Sequence, residues 1–188
     1  MQKENTVEQM VQIIMQKLIL SIFMVILSLI PRSVFGAEIA EMGDAPDFAA
    51  QLQDGSQFEL ASRLGKWTIL YFYPKAGTPG CTKQAQGFRD SIEKIRGLGA
   101  EVYGISGDSV AELADFQKKE QLNFSLIADP QAKIIDAYGA KMPLLKISKR
   151  WTFILDPKLK VKKIERDVEP GEDAQRIIGW LKDLQSTK

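Results

Sequence analysis

The 188 residues include no histidine and only one cysteine. The first absence removes the imidazole on which Ser-His-Asp hydrolases and Cys-His proteases depend, and with it the commonest ligand of catalytic zinc. The second removes any intramolecular disulfide, thiolate metal cluster or Cys-x-x-Cys redox pair. No cofactor or metal is expected. An excess of one charge is missing too: 25 basic and 24 acidic residues leave a net charge of +1, with no electrostatic grip on nucleic acid. What remains is 45% hydrophobic and 26% charged, the balance of a packed soluble domain with an extension.

Long apolar runs are scarce. The conspicuous one is residues 18–30, LILSIFMVILSLI, preceded by Lys17 and followed by Pro31-Arg32-Ser33 and Val34-Phe35-Gly36-Ala37. A basic start, an apolar stretch and small residues before a cleavage point predict a secretory signal peptide over residues 1–36. Cleavage after Gly36 places Val34 and Gly36 where small side chains are wanted, whereas cleavage after Ala37 would place Phe35 there. The mature chain, 37–188, is then exported to a periplasm-like compartment. The alternative is an uncleaved membrane anchor through residues 18–30. A helix of that length reaches about 20 Å, short of the ~30 Å hydrocarbon core. Met15-Gln16-Lys17 makes a more typical start than Met1.

Beyond the leader the pattern alternates. Residues 48–60 hold Asp54-Gly55 between short alternating runs and predict a hairpin. Residues 69–73 are apolar on both faces, as in the central strand of a covered sheet. From Pro79 to Arg96, the spacing of Cys81, Ala85, Phe88, Ile92 and Ile95 predicts one stripe of a helix. Further strands are predicted at 102–105, 124–127, 151–155 and 161–164. Ser109 and Glu112 form a capping box opening a helix. Asp129-Pro130 opens a helical stretch ending near Gly139, and Pro170-Gly171-Glu172 starts a last helix. Such alternation predicts one three-layer α/β domain.

Cys81 falls where a strand hands over to a helix, in Pro74-Lys75-Ala76-Gly77-Thr78-Pro79-Gly80-Cys81. A helix N-terminus carries roughly half a positive charge and unpaired N–H groups. Sulfur in its first turn feels both, which favours the thiolate, the form that attacks electrophiles. Thr78, three residues earlier, can direct its hydroxyl towards the sulfur or a bound oxygen. Pro74 and Pro79 stiffen the loop. The competing structural role is a small hydrophobe on the helix's inner stripe.

The segment Tyr71-Phe72-Tyr73-Pro74-Lys75-Ala76-Gly77-Thr78-Pro79-Gly80-Cys81-Thr82 resembles the active-site segment of peroxiredoxins, in particular the bacterioferritin-comigratory-protein or PrxQ branch. The pattern Pro-x-x-x-Thr-x-x-Cys is met at Pro74, Thr78 and Cys81. Arg150-Trp151-Thr152-Phe153-Ile154-Leu155-Asp156, Gly104-Ile105-Ser106-Gly107-Asp108 and Ala137-Tyr138-Gly139 are further matches. The resemblance implies a thioredoxin-like fold over 37–188, a central mixed sheet flanked by helices with an N-terminal hairpin. It implies a thiol-dependent peroxidase reducing hydrogen peroxide and organic hydroperoxides. In it Cys81 becomes a sulfenic acid, Thr78 orients the peroxide, Pro74 shields the sulfenate, Arg150 favours the thiolate, and the N–H groups of Cys81 and Gly80 hold the peroxide oxygen. By itself, Arg150 reads as a solvated strand residue. Gln84 and Arg89-Asp90 also resemble family residues, Arg89 either supporting the site or forming a surface ion pair.

Many such relatives carry a resolving cysteine five residues after the first, where this chain has Gln86. A one-cysteine cycle follows, with the sulfenic acid reduced by an external thioredoxin-, glutaredoxin- or glutathione-type thiol. The protein is expected to act as a monomer or weak dimer, and to meet a membrane only if residues 18–30 are retained. The missing resolver also supports a second reading: an exported redox sensor or binding protein forming intermolecular disulfides through Cys81. Lesser features have plain readings. Asn123-Phe124-Ser125 matches a glycosylation acceptor beside a strand, Trp67, Trp151 and Trp180 are packing residues, and Lys158, Lys160, Lys162 and Lys163 form a solvated basic turn.

Overall fold

The computed structural model describes residues 14–19, 21, 40–145 and 147–186. The chain divides into two units, Met1–Ala37 and Glu38–Lys188. In the first, residues 14–19 and 21 are helical. The rest of the predicted leader, with most of the 18–30 run and the cleavage point after Gly36, lies outside the described residues. Among the described residues no helix is long and apolar enough to cross a membrane.

The second unit is built on a seven-stranded sheet. Its strands are β1 (Ala49–Leu52), β2 (Gln57–Glu59), β3 (Trp67–Phe72), β4 (Ala100–Ser106), β5 (Ser125–Ala128), β6 (Trp151–Leu155) and β7 (Val161–Glu165), in the order β2-β1-β5-β4-β3-β6-β7. The helices are α1 (Pro79–Gly97), α2 (Val110–Glu120), α3 (Lys133–Ala137) and α4 (Asp173–Ser186). β3 runs parallel to β4 and antiparallel to β6, so the sheet is mixed as expected. β1 and β2 form the predicted hairpin. At its turn Gly55 takes φ 81°, and the Asp54 carboxylate accepts the Ser56 N–H at 2.9 Å.

Both faces of the sheet are covered, which is why β3 carries no polar alternation. On one face Ile69, Tyr71, Val102, Leu126 and Ile154 meet the inner stripes of α1, α2 and α4. On the other, Leu70, Phe72, Ile105, Phe153 and Leu155 meet Phe58, Leu60, Ile135 and Tyr138. Residues 42–45 run beside the turn before β7 and its first residue: the Met42 N–H donates to Val161 O at 2.6 Å, the Val161 N–H to Gly43 O at 2.9 Å and the Ala45 N–H to Leu159 O at 3.0 Å. The basic turn is tied down there rather than merely solvated. Lys160 pairs with Asp44 at 2.6 Å and Lys163 with Glu41 at 3.2 Å.

Two helices are shorter than their patterns predict. The stretch opened by Asp129-Pro130 becomes helical only at Lys133, because Ala132 turns into the left-handed region at φ 54°. The Asp129 carboxylate accepts the N–H groups of Lys133 at 2.9 Å and Ile135 at 2.8 Å, so it still caps the helix it announces. The last helix starts at Asp173 because Pro170-Gly171-Glu172 forms a turn packed on α1. A Cβ on Gly171 would lie 2.5 Å from the Lys83 side chain.

Gly104, in one of the motifs, sits opposite Tyr71 in the β3–β4 register. A Cβ there would come 2.6 Å from the Tyr71 phenol, which is buried and stacked between Tyr73 and Phe88. The ring has nowhere to retreat. Gly104→Ala is expected to destabilise the domain by roughly 1–3 kcal/mol, the usual cost of overpacking, measured by urea unfolding.

Candidate active site

β3 delivers the chain to the carboxyl end of the sheet, where the Tyr73 N–H donates to Ile105 O at 3.1 Å and a short loop turns into α1. Thr78 is the N-cap and Pro79 the first helical residue, so Cys81 lies in the first turn. A buried carboxylate fixes the loop. Asp108 Oδ2 accepts the Ala76 N–H at 2.9 Å and the Ser106 hydroxyl at 2.7 Å, and Asp108 pairs with Lys75. Lys75 also pairs with Glu112 at 2.7 Å, whose carboxylate closes the predicted capping box with Ser109. The Lys75 ammonium, helped by Ser109, holds the Glu112 carboxyl down to about 2.

Register explains how a residue 69 positions later reaches the same place. Trp151 pairs with Phe72, so Arg150, just before β6, arrives beside the end of β3. Its Nη2 donates to Cys81 Sγ at 3.4 Å and its Nη1 to Gln84 Oε1 at 2.7 Å. The guanidinium also passes over Gly80, where a Cβ would lie 3.2 Å from Nη2. Behind Gln84 stands Asp173. Gln84 Nε2 donates to Asp173 Oδ2 at 2.7 Å and the Thr152 hydroxyl donates to the same oxygen at 2.8 Å.

Burial pushes the Asp173 carboxyl up to about 6, and nearby Glu165 pushes the same way. The hydrogen bonds from Gln84 and Thr152 and the charge of Arg176 pull it down. A carboxyl that ionises near pH 4 in the unfolded chain and near 6 in the folded one favours folding in full only below about pH 4. That contribution is lost as pH rises through 6, on the order of 3 kcal/mol in all. Urea-unfolding stability is therefore expected to fall between pH 4 and 7 by that order in the native chain, and to fall less in Asp173→Asn.

Cys81 shows the features named for both of its competing roles. It is 1% exposed on the buried stripe with Ala85, Phe88, Ile92 and Ile95, yet a guanidinium reaches its sulfur. Arg150 is half-buried rather than a solvated strand residue. The Thr78 hydroxyl donates to Lys75 O at 2.9 Å, and Pro74 sits half-buried at the start of the loop. Gln86, in the resolver position, is turned away to donate to Glu120 at 2.9 Å. Arg89 forms the surface ion pair, with Asp90 at 2.8 Å, and also donates to Glu120 O. Trp67 and Trp180 pack against the core, and Trp151 lies beneath Lys149 and Arg166.

A sequence profile described as the AhpC/TSA family matches residues 43–164. Peroxiredoxin Bcp of Escherichia coli (strain K12) is 34% identical over 145 residues, 74% of this chain and 93% of its own length. The chain belongs to the AhpC/TSA family and is a peroxiredoxin. Solved structures agree. Peroxidoxin BcpB from Mycobacterium tuberculosis superposes with a TM-score of 0.74 at 30% identity, covering 78% of this chain and 99% of that one. Xanthomonas campestris bacterioferritin comigratory protein, described for its alkyl peroxide reduction activity, does so at 0.69 and 29%, covering 73% and 91%.

This peroxiredoxin is a thiol-dependent peroxidase of the Bcp/PrxQ kind with a single cysteine, so no second thiol of its own can resolve the oxidised one. One group behind Arg150 escaped the sequence reading. Asp173 is 89 positions from Gln84 and looks like an ordinary first-turn acid. Only its burial, 2% exposed, marks it out. Thr152 belongs to the Arg150 motif, and the structure adds its hydrogen bond to Asp173.

Proposed function

We propose that Cys81 is the peroxidatic thiol and that Arg150, Thr78, Gly80 and Pro74 form its peroxide site. The contact of Arg150 Nη2 with Sγ, in the first turn of α1, carries this assignment. The Cys81 thiolate attacks one oxygen of the hydroperoxide. The S–O bond forms as the O–O bond breaks, and the departing oxygen takes a proton and leaves as water or an alcohol. Arg150 supports the charge as it moves from sulfur to the leaving oxygen. The Gly80 and Cys81 N–H groups, in the turn that has no intrahelical acceptors, hold the peroxide oxygen. The Thr78 hydroxyl donates its hydrogen bond to Lys75 O, so its oxygen is left to accept the O–H of the peroxide. Pro74 keeps water from the sulfenate.

One external thiol then condenses with the sulfenic acid, giving a mixed disulfide and water. A second thiol displaces Cys81 and leaves as the disulfide. The donor is of thioredoxin, glutaredoxin or glutathione type, and the substrates include organic hydroperoxides as well as hydrogen peroxide. The leader pattern supports an enzyme working outside the cytoplasm, which N-terminal sequencing of the exported chain tests. Stopped-flow oxidation of residues 37–188, followed by a donor screen, tests the chemistry. Fast oxidation and a trapped mixed disulfide at Cys81 are expected. Oxidation no faster than a free thiol would instead favour the sensor, and efficient turnover without thiol would overturn the one-cysteine cycle.

A further inference from the structure

The proposed chemistry gives Asp173 no task, yet Asp173 is 2% exposed and its Oδ2 receives two hydrogen bonds from residues of the site's surroundings. The two ends of the Gln84 amide differ. Its Nε2 can only donate and its Oε1 can only accept. With an acceptor at Asp173, 2.7 Å from Nε2, the amide must turn its oxygen to Arg150 Nη1, also at 2.7 Å. Without that acceptor the amide is free to rotate and to point its own N–H groups at the guanidinium, donor against donor. The Thr152 hydroxyl fixes Oδ2 from the β6 side.

We propose that Asp173 is a positioning residue for the peroxide step: its carboxylate sets the orientation of the Gln84 amide, and that amide holds Arg150 with Nη2 on Cys81 Sγ. The inference rests on the reading of Arg150 given above. Retention of a carboxylate whose ionised form burial disfavours is consistent with such a task. The charged and titratable groups that act on it are the Tyr71 phenol on β3, Glu165 on β7 and Arg176 on α4 itself, with Arg150 reached through Gln84.

The test is the rate of Cys81 oxidation by hydrogen peroxide, per folded molecule, in full-length variants. Asp173→Leu removes the acceptor and is expected to slow oxidation by about tenfold or more per folded molecule. Asp173→Ala, which adds no bulk, serves if leucine is not accommodated. Asp173→Asn keeps one acceptor oxygen in place and is expected to retain the rate within about threefold. Far-ultraviolet thiolate absorbance of the reduced protein at neutral pH should drop in Asp173→Leu and persist in Asp173→Asn. Gln84→Leu combined with Asp173→Leu should be no slower than Gln84→Leu alone, since the two act in series. A purely structural role would add to the second change and leave the absorbance unmoved. A folded Asp173→Leu or Asp173→Ala chain oxidising within threefold of native, beside a slow Arg150→Ala chain, overturns this inference alone, as does a tenfold loss in Asp173→Asn. An Arg150→Ala chain as fast as native overturns the reading of Arg150 and this inference with it.

Discussion

Cys81→Ser is expected to reduce peroxide consumption to the uncatalysed background with every thiol donor. The substitution is nearly isosteric, so the rest of the site should stay in place, with Arg150 still beside the side chain and the inner stripe still packed. What is lost is the nucleophile. A serine hydroxyl has no base near it in a chain without histidine, and its oxygen cannot be oxidised and reduced again as sulfur can. Thermal unfolding should move little, which separates lost chemistry from lost structure. Any donor-dependent turnover remaining in this variant would remove Cys81 from the mechanism.

Arg150→Ala should slow oxidation of Cys81 by roughly 10²–10³, the range seen when one positioned donor to developing charge is deleted. It should also cost stability, because Gln84 Oε1 loses its 2.7 Å donor while fully buried. An unsatisfied buried acceptor costs about 1–3 kcal/mol. Arg150→Lys separates charge from shape. An ammonium can approach the sulfur, but it cannot span Sγ and Gln84 at fixed spacing as the two Nη groups do. Its rate should fall between those of the native and alanine chains, read by stopped flow at saturating reductant.

The reach of the sequence can be judged residue by residue. Cys81 stood out because its loop, its helix stripe and the strand before it are contiguous, and local periodicity reports contiguous structure well. The capping box at Ser109 and Glu112 and the hairpin at Asp54-Gly55 were legible for the same reason. Arg150 became legible only through a resemblance, since nothing local foretells that β6 will lie antiparallel beside β3 with Trp151 opposite Phe72. Asp173 was not legible at all, and Asp108 was legible only as the end of a matched motif, without its role in fixing the loop. Each is an acid in a polar stretch, and its burial depends on which distant elements come to cover it. The shortening of α3 has a local cause, the left-handed Ala132, but alanine carries no signal for that conformation.

The strap of residues 42–45 at the start of β7 has a consequence for the behaviour of the protein in concentrated surroundings. An open sheet offers two free rims on which another chain can add a strand, and here one rim is the three-residue β2 while the start of the other, Val161, is engaged by Met42 and Gly43, and the Ile164 N–H by the Glu41 carboxylate. A neighbour finds little backbone to extend, so the sheet itself gives scant footing for aggregation.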